Sequence, residues 1–87
     1  MPGFVYILTN KEKRRYIGCT ENLRERIKMH NEGKVPATQF YRPWKLKTYF
    51  VFDDKNVAFK FEKYLKTGSG IAFAKKHFCE DSVLTLD

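Results

Sequence analysis

The chain of 87 residues is poor in cysteine, with Cys19 and Cys79 alone, and holds only two histidines. Two cysteines cannot build the disulfide framework of a small secreted domain, so both are expected as thiols. No C-x-x-C or H-x-x-x-H spacing is present, which excludes a structural zinc site. Long apolar runs are missing too. The longest, Phe4-Val5-Tyr6-Ile7-Leu8, falls far short of the ~20 residues that span a bilayer. No charged-then-apolar segment opens the chain, so the expectation is a cytoplasmic protein with no membrane partner. Acidic residues are scarce as well. Ten stand against 17 Lys and Arg, for a net charge of +7. Such a balance favours a polyanionic partner, most commonly nucleic acid, and names no activity by itself.

What remains is one domain without repeats or linkers. A chain this short buries roughly 60% of its unfolded surface, enough for one modest core. Phe4–Thr9 and Arg15–Cys19 are β-prone runs joined by the polar loop Asn10–Arg14, which predicts a hairpin. Side chains alternate faces, so Tyr6 shares a face with Phe4 and Leu8 and opposes either Tyr16 or Gly18. Gly18 would leave open space beside the rings. Thr20 or Asn22 caps the next helix, whose inner stripe is Leu23, Ile27 and His30, and Asn31-Glu32-Gly33 ends it. Residues 33–43 are irregular, with Pro36 and Pro43. Lys45–Phe52 returns to strand, with Leu46, Thr48, Phe50 and Phe52 expected on one face. Asp53-Asp54 breaks it and caps a helix over 56–67 that turns Ala58, Phe61 and Leu65 inward, with Tyr64 a further candidate for that face. Gly68-Ser69-Gly70 is expected to interrupt before a last short helix over 71–78. The prediction is an α+β fold of order ββαβαα, residues 1–79 forming the domain and 80–87 a loose acidic tail.

Several residue types suit phosphodiester chemistry with one metal ion. Arg26 and His30 stand four apart and so share one helix face at the edge of the buried stripe. A guanidinium fork suits a phosphate, and a histidine can relay a proton near neutral pH. An ordinary basic helix with a boundary histidine fits the same spacing. Glu62 borders the apolar face of its helix, where a carboxylate needs a partner. Mg²⁺ held by that carboxylate, waters and a substrate phosphate is one partner, and a salt bridge is the other. Tyr6 and Tyr16 are either catalytic phenols or core aromatics with hydroxyls at the rim. In the hairpin loop and first helix, Lys11, Lys13, Arg14, Arg15, Arg24, Arg26 and Lys28 outnumber Glu12, Glu21 and Glu25. Tyr41, Arg42, Trp44 and Lys45 add stacking and cationic groups that suit nucleic acid, with Trp44 equally readable as a core anchor. Ser69, between two glycines ahead of a helix, marks either a phosphate cradle or a simple turn.

The run Val5-Tyr6-Ile7, then Tyr16-Ile17-Gly18 and Cys19-Thr20-Glu21-Asn22-Leu23, with Arg26 and His30, resembles the GIY-YIG nuclease superfamily. Tyr41-Arg42-Pro43-Trp44 and Phe61–Gly70 are similar to its small stand-alone bacterial members, so the likeness spans residues 4–78. It implies a small three-stranded antiparallel sheet flanked by helices and hydrolysis of DNA with Mg²⁺ or Mn²⁺. By position, Tyr6 would orient or deprotonate the attacking water with Tyr16 assisting. Arg26 would stabilise phosphate charge, His30 would relay a proton and Glu62 would bind the metal. Lys13, Arg14, Arg15, Arg24, Tyr41, Arg42, Lys45 and Ser69 are the expected DNA contacts, and no small-molecule cofactor is implied. Two positions depart from the pattern. Val5 replaces the name-giving glycine, and no asparagine follows Asn56, where many family nucleases use one. The competing expectation is a nucleic-acid-binding module that no longer cuts.

Overall fold

The computed structural model describes residues 2–77 and the strand 83–85. The elements run β1 (Gly3–Thr9), β2 (Arg14–Thr20), α1 (Leu23–Asn31), a 3₁₀ turn (Gln39–Tyr41), β3 (Lys45–Phe52), α2 (Lys55–Leu65), α3 (Gly68–His77) and β4 (Val83–Thr85). β1 lies at the centre of the sheet with β2 and β3 antiparallel on either side, the expected three-stranded α+β core. β4 adds a short parallel strand against Arg14–Tyr16 of β2, an element not foreseen in the tail. The remainder of that tail, with Phe78 and Cys79, lies outside the described residues.

Local chemistry explains the boundaries. The Asn10 carboxamide accepts from the backbone amides of Glu12 and Arg14 at 3.1 and 3.0 Å, closing the hairpin loop. Lys13 takes the left-handed backbone position there, with φ 63°. Asn22 caps α1 by accepting from the Glu25 amide at 3.2 Å, and Gly33 ends it with φ 78°. Asp54 caps α2 through the Asn56 amide at 2.8 Å. α3 starts earlier than predicted. Thr67 Oγ1 accepts from the Gly70 amide at 3.1 Å, so the Gly-Ser-Gly triplet forms the first helical turn. Gly70 is buried against the end of α2, where a Cβ would overlap the Tyr64 carbonyl oxygen. That tight crossing is the reason for glycine.

Two apolar layers flank the sheet. Val5, Ile7 and Ile17 face Ala58 and Leu65 of α2 and Ala74 of α3, with Phe50, Phe52 and Phe61 alongside. The opposite face carries Tyr6, Leu8 and Tyr16 with Trp44, packed by Leu23, Ile27 and Leu46. Leu46 therefore faces away from Phe50 and Phe52, against the simple alternation. A bulge in β3, where Ile7 opposes Thr48 but Leu8 opposes Leu46, shifts the register by one residue.

Trp44 is the core anchor of the irregular segment, its indole N–H donating to the Thr38 carbonyl at 2.9 Å. Asn31 holds the same residue by its backbone, accepting from the Trp44 amide at 2.6 Å and donating to its carbonyl at 3.0 Å. Asn31→Ala leaves both groups short of a partner in a part-buried setting. A stability loss of about 1–3 kcal/mol is expected in urea unfolding.

Candidate active site

The β-hairpin brings Tyr6 opposite Gly18, settling the register between the two alternatives. Tyr6 lies across Gly18, where a Cβ would overlap the Tyr6 hydroxyl and come within 3.0 Å of the Tyr16 ring. The missing side chain is what lets both phenols share this patch. Their ring centroids are 6.3 Å apart, and His30 packs against both at 5.6 and 4.9 Å.

His30, in the last turn of α1, is fully buried and not at the edge of the buried stripe. Its Nε2 stands 2.8 Å from the Tyr6 hydroxyl and its Nδ1 2.8 Å from Thr38 Oγ1. Thr38 Oγ1 in turn donates to the Val35 carbonyl at 3.4 Å. One proton order satisfies all three contacts. Thr38 accepts from Nδ1–H, which leaves Nε2 as the acceptor for the Tyr6 hydroxyl. Thr38 was not singled out in the sequence, since a lone threonine in an irregular segment carries no pattern.

Arg26 joins this buried group to the surface. Its guanidinium interacts with the Tyr6 and Tyr16 hydroxyls, and the interaction with Tyr6 is the main cause that raises its pKa above the ordinary arginine value. Burial works in the opposite direction, and Arg26 stays charged at any working pH. Arg26 also lines an open cleft of about 480 Å³ with Glu62, Asn56 and Phe59 of α2 and Cys19 and Glu21 from the end of β2. Tyr6 at 0% exposure and Tyr16 at 4% do not line it. The buried phenols lie next to Arg26, and Glu62 reaches the same opening from the helix on the other sheet face.

Glu62 is paired with Lys66, Oε2 to Nζ, at 2.9 Å. The salt-bridge reading of this carboxylate is thus realised, and Lys66 Nζ also lies 5.6 Å from the Tyr16 ring centroid. Lys66 links Glu62 to Tyr16 and had no signal in the sequence beyond its i+4 spacing. The group still fits a hydrated cation. Among the described residues no three His, Cys, Asp or Glu side chains cluster as metal ligands. A metal here would be held by Glu62, water and substrate, a set that suits Mg²⁺ with its retained waters.

Cys19 reports on this carboxylate. Burial raises its thiol pKa, and the negative fields of Glu62 and Glu21 raise it further. The thiolate is the reactive form, so at neutral pH Cys19 reacts slowly and its rate climbs as pH rises. In a Cys79→Ser background, Glu62→Gln is expected to speed iodoacetamide alkylation of Cys19 at fixed pH. An unchanged rate would place the carboxylate farther away.

The expected DNA contacts divide. Lys13, Arg24, Arg42, Lys45 and Ser69 are exposed. Arg14 lies over the half-buried Tyr41 ring, 4.1 Å from its centroid. Arg15 is corrected: at 1% exposure it is a buried residue, on the inward face with Ile17, and not a surface contact. None of these eight lines the cleft of Arg26 and Glu62. Lys13, Arg14 and Lys45 sit at the turn end of the sheet, about six residues or roughly 20 Å along the strands from Gly3, which borders the cleft.

No helix among the described residues is long and apolar enough to cross a membrane. The sequence profile of the GIY-YIG catalytic domain matches residues 2–71. The UPF0213 protein CPE1444 of Clostridium perfringens is 41% identical over 65 residues, 74% of this chain and 70% of that protein. The UPF0213 protein SpyM50708 of Streptococcus pyogenes is 36% identical over 65 residues, 74% of this chain and 71% of its own length. The solution structure of the UPF0213 protein BH0048 from Bacillus halodurans superposes with a TM-score of 0.56 at 27% identity, covering 93% of this chain and 89% of that one.

Proposed function

Because this chain belongs to the GIY-YIG catalytic domain family, whose chemistry is that of nucleases, we propose that it is a metal-dependent DNA endonuclease with little sequence preference, cytoplasmic and acting in repair or recombination. The observation that carries the reading is the double engagement of half-buried Arg26, which interacts with both tyrosines and lines the wall it shares with Glu62. A phosphate entering the cleft meets that guanidinium first. Arg26 turns from the phenols to the phosphate oxygens, neutralising charge that grows in the transition state. Its departure uncovers the Tyr6 hydroxyl. Tyr6 then takes a proton from the attacking water while passing its own to His30 Nε2, 2.8 Å away. Thr38 and the Val35 carbonyl hold the histidine in the accepting tautomer. His30 is thus a relay behind Tyr6 and does not touch substrate.

Glu62 would hold Mg²⁺ or Mn²⁺, which supplies Lewis-acid stabilisation of the phosphate and leaving oxygen when bound. Lys66 keeps the carboxylate aimed at the cleft until then. Asn56, the last asparagine of the chain, stands on the same wall.

The test is cleavage of a panel of end-labelled single-stranded, nicked, branched and duplex DNAs with Mg²⁺ or Mn²⁺, with and without chelator. Product that vanishes on chelation supports the reading. Salt-sensitive binding, indifferent to chelator and never giving product, would instead identify a binding module.

A further inference from the structure

Helix α2 carries two stripes with different fates. Ala58, Phe61 and Leu65 turn into the core. Lys55, Asn56, Phe59 and Glu62 turn to the cleft, at spacings that stack along one helix face. Phe59 is the odd member. It is an aromatic ring, 51% exposed, standing among charged and amide groups. Scattered exposed apolar residues are ordinary, but this one lines a concave surface together with Arg26 and Glu62. Lys63 Nζ lies over one face of the ring, 4.7 Å from its centroid, so a stacking partner would take the opposite face. The ring is a member of neither core layer.

We propose that Phe59 is a stacking platform for an unpaired nucleobase next to the scissile phosphate, and that it gives the enzyme a preference for single-stranded or frayed DNA at the cut. The proposal rests on the nuclease reading of the cleft and names its substrate class. A nucleic-acid strand presents a phosphate and a base within one nucleotide. The cleft presents a guanidinium for the first and an aromatic face for the second. Lys55 and Lys63 flank the ring with positive charge suited to the neighbouring phosphates. A paired base keeps both faces stacked inside the duplex, so only an unpaired one can lie on the ring. The Asn56 amide is one helical turn away and can bond a base edge, as amide side chains do.

The experiment uses the full chain in EDTA, so that binding is read without cleavage. Anisotropy of a labelled oligo-dT and of a duplex of equal length gives a single-strand preference for each protein. Phe59→Ala is expected to weaken oligo-dT binding roughly tenfold, the size of one lost base–aromatic stack, with duplex binding unchanged. Phe59→Trp should restore it, and its added emission should be quenched by oligo-dT but not by duplex or inorganic polyphosphate. Equal losses on both DNAs, an unchanged oligo-dT affinity, or quenching by polyphosphate alone would overturn the platform. Phe59→Trp decides the matter by itself if the alanine variant does not fold. Cleavage by the unaltered chain is measured separately with Mg²⁺. Its absence would overturn the nuclease reading and leave the binding ratio standing, whereas intact cleavage with no effect of Phe59 would remove the platform alone.

Discussion

Arg26→Ala is expected to slow DNA cleavage by about 10²–10³-fold, the cost of removing one preorganised donor from a site of developing charge. Most of the loss should appear in kcat, because the guanidinium is needed most when the phosphate carries its greatest charge. Arg26→Lys should recover little. A lysine offers a point charge and cannot span two phenol oxygens, or two phosphate oxygens, with a planar fork. The fold should survive both changes, since Arg26 is half-buried and lies outside both apolar layers. Single-turnover cleavage alongside thermal unfolding would separate the two effects. A variant that cuts at full rate would remove Arg26 from the chemistry.

Gly18→Ala should be nearly as damaging, from a single methyl group. The new Cβ would occupy the space of the Tyr6 hydroxyl and crowd the Tyr16 ring at 3.0 Å. Neither neighbour has free space to retreat. Tyr6 is fully buried and tied to His30 at 2.8 Å, and the sheet backbone fixes Gly18 from the other side. Overpacking of this kind costs about 1–3 kcal/mol of stability. A displacement of about 1 Å in the phenol would cost on the order of 10²-fold in rate. Gly68→Ala is the control, because nothing lies within 4 Å of a Cβ placed there. A Gly18→Ala protein with full activity would mean that the Tyr6 hydroxyl works from some other position.

Much of this architecture could be read from the chain alone. The hairpin, the Asn22 and Asp54 caps and the inward stripe of α2 follow from local rules that the tertiary structure does not oppose. The grouping of Tyr6, Tyr16, Arg26 and His30 was legible because consecutive elements carry them. What escaped depends on contacts between distant segments. The β3 bulge redirects Leu46 through strand packing, and no alternation pattern announces it. Arg15 reads as one more surface cation in a basic loop, yet it lies on the inward face of β2. The Gly-Ser-Gly triplet looks like a break, although Gly70 is there to let two helices touch. Thr38 and Lys66 matter only through what they meet, His30 in one case and Glu62 with Tyr16 in the other. The tyrosines read equally as catalytic phenols or as core aromatics with hydroxyls at the rim, and only the folded chain shows both buried with Arg26 beside them.

The most direct test of a one-metal phosphodiesterase in this cleft is cleavage of end-labelled single-stranded DNA by the unaltered chain and by Glu62→Gln, at matched Mg²⁺. The substitution keeps the shape of the side chain and removes the charge that would bind the ion. A product ladder from the unaltered chain, absent with Glu62→Gln and absent with EDTA, is the predicted result. A ladder of equal intensity from Glu62→Gln would contradict the account.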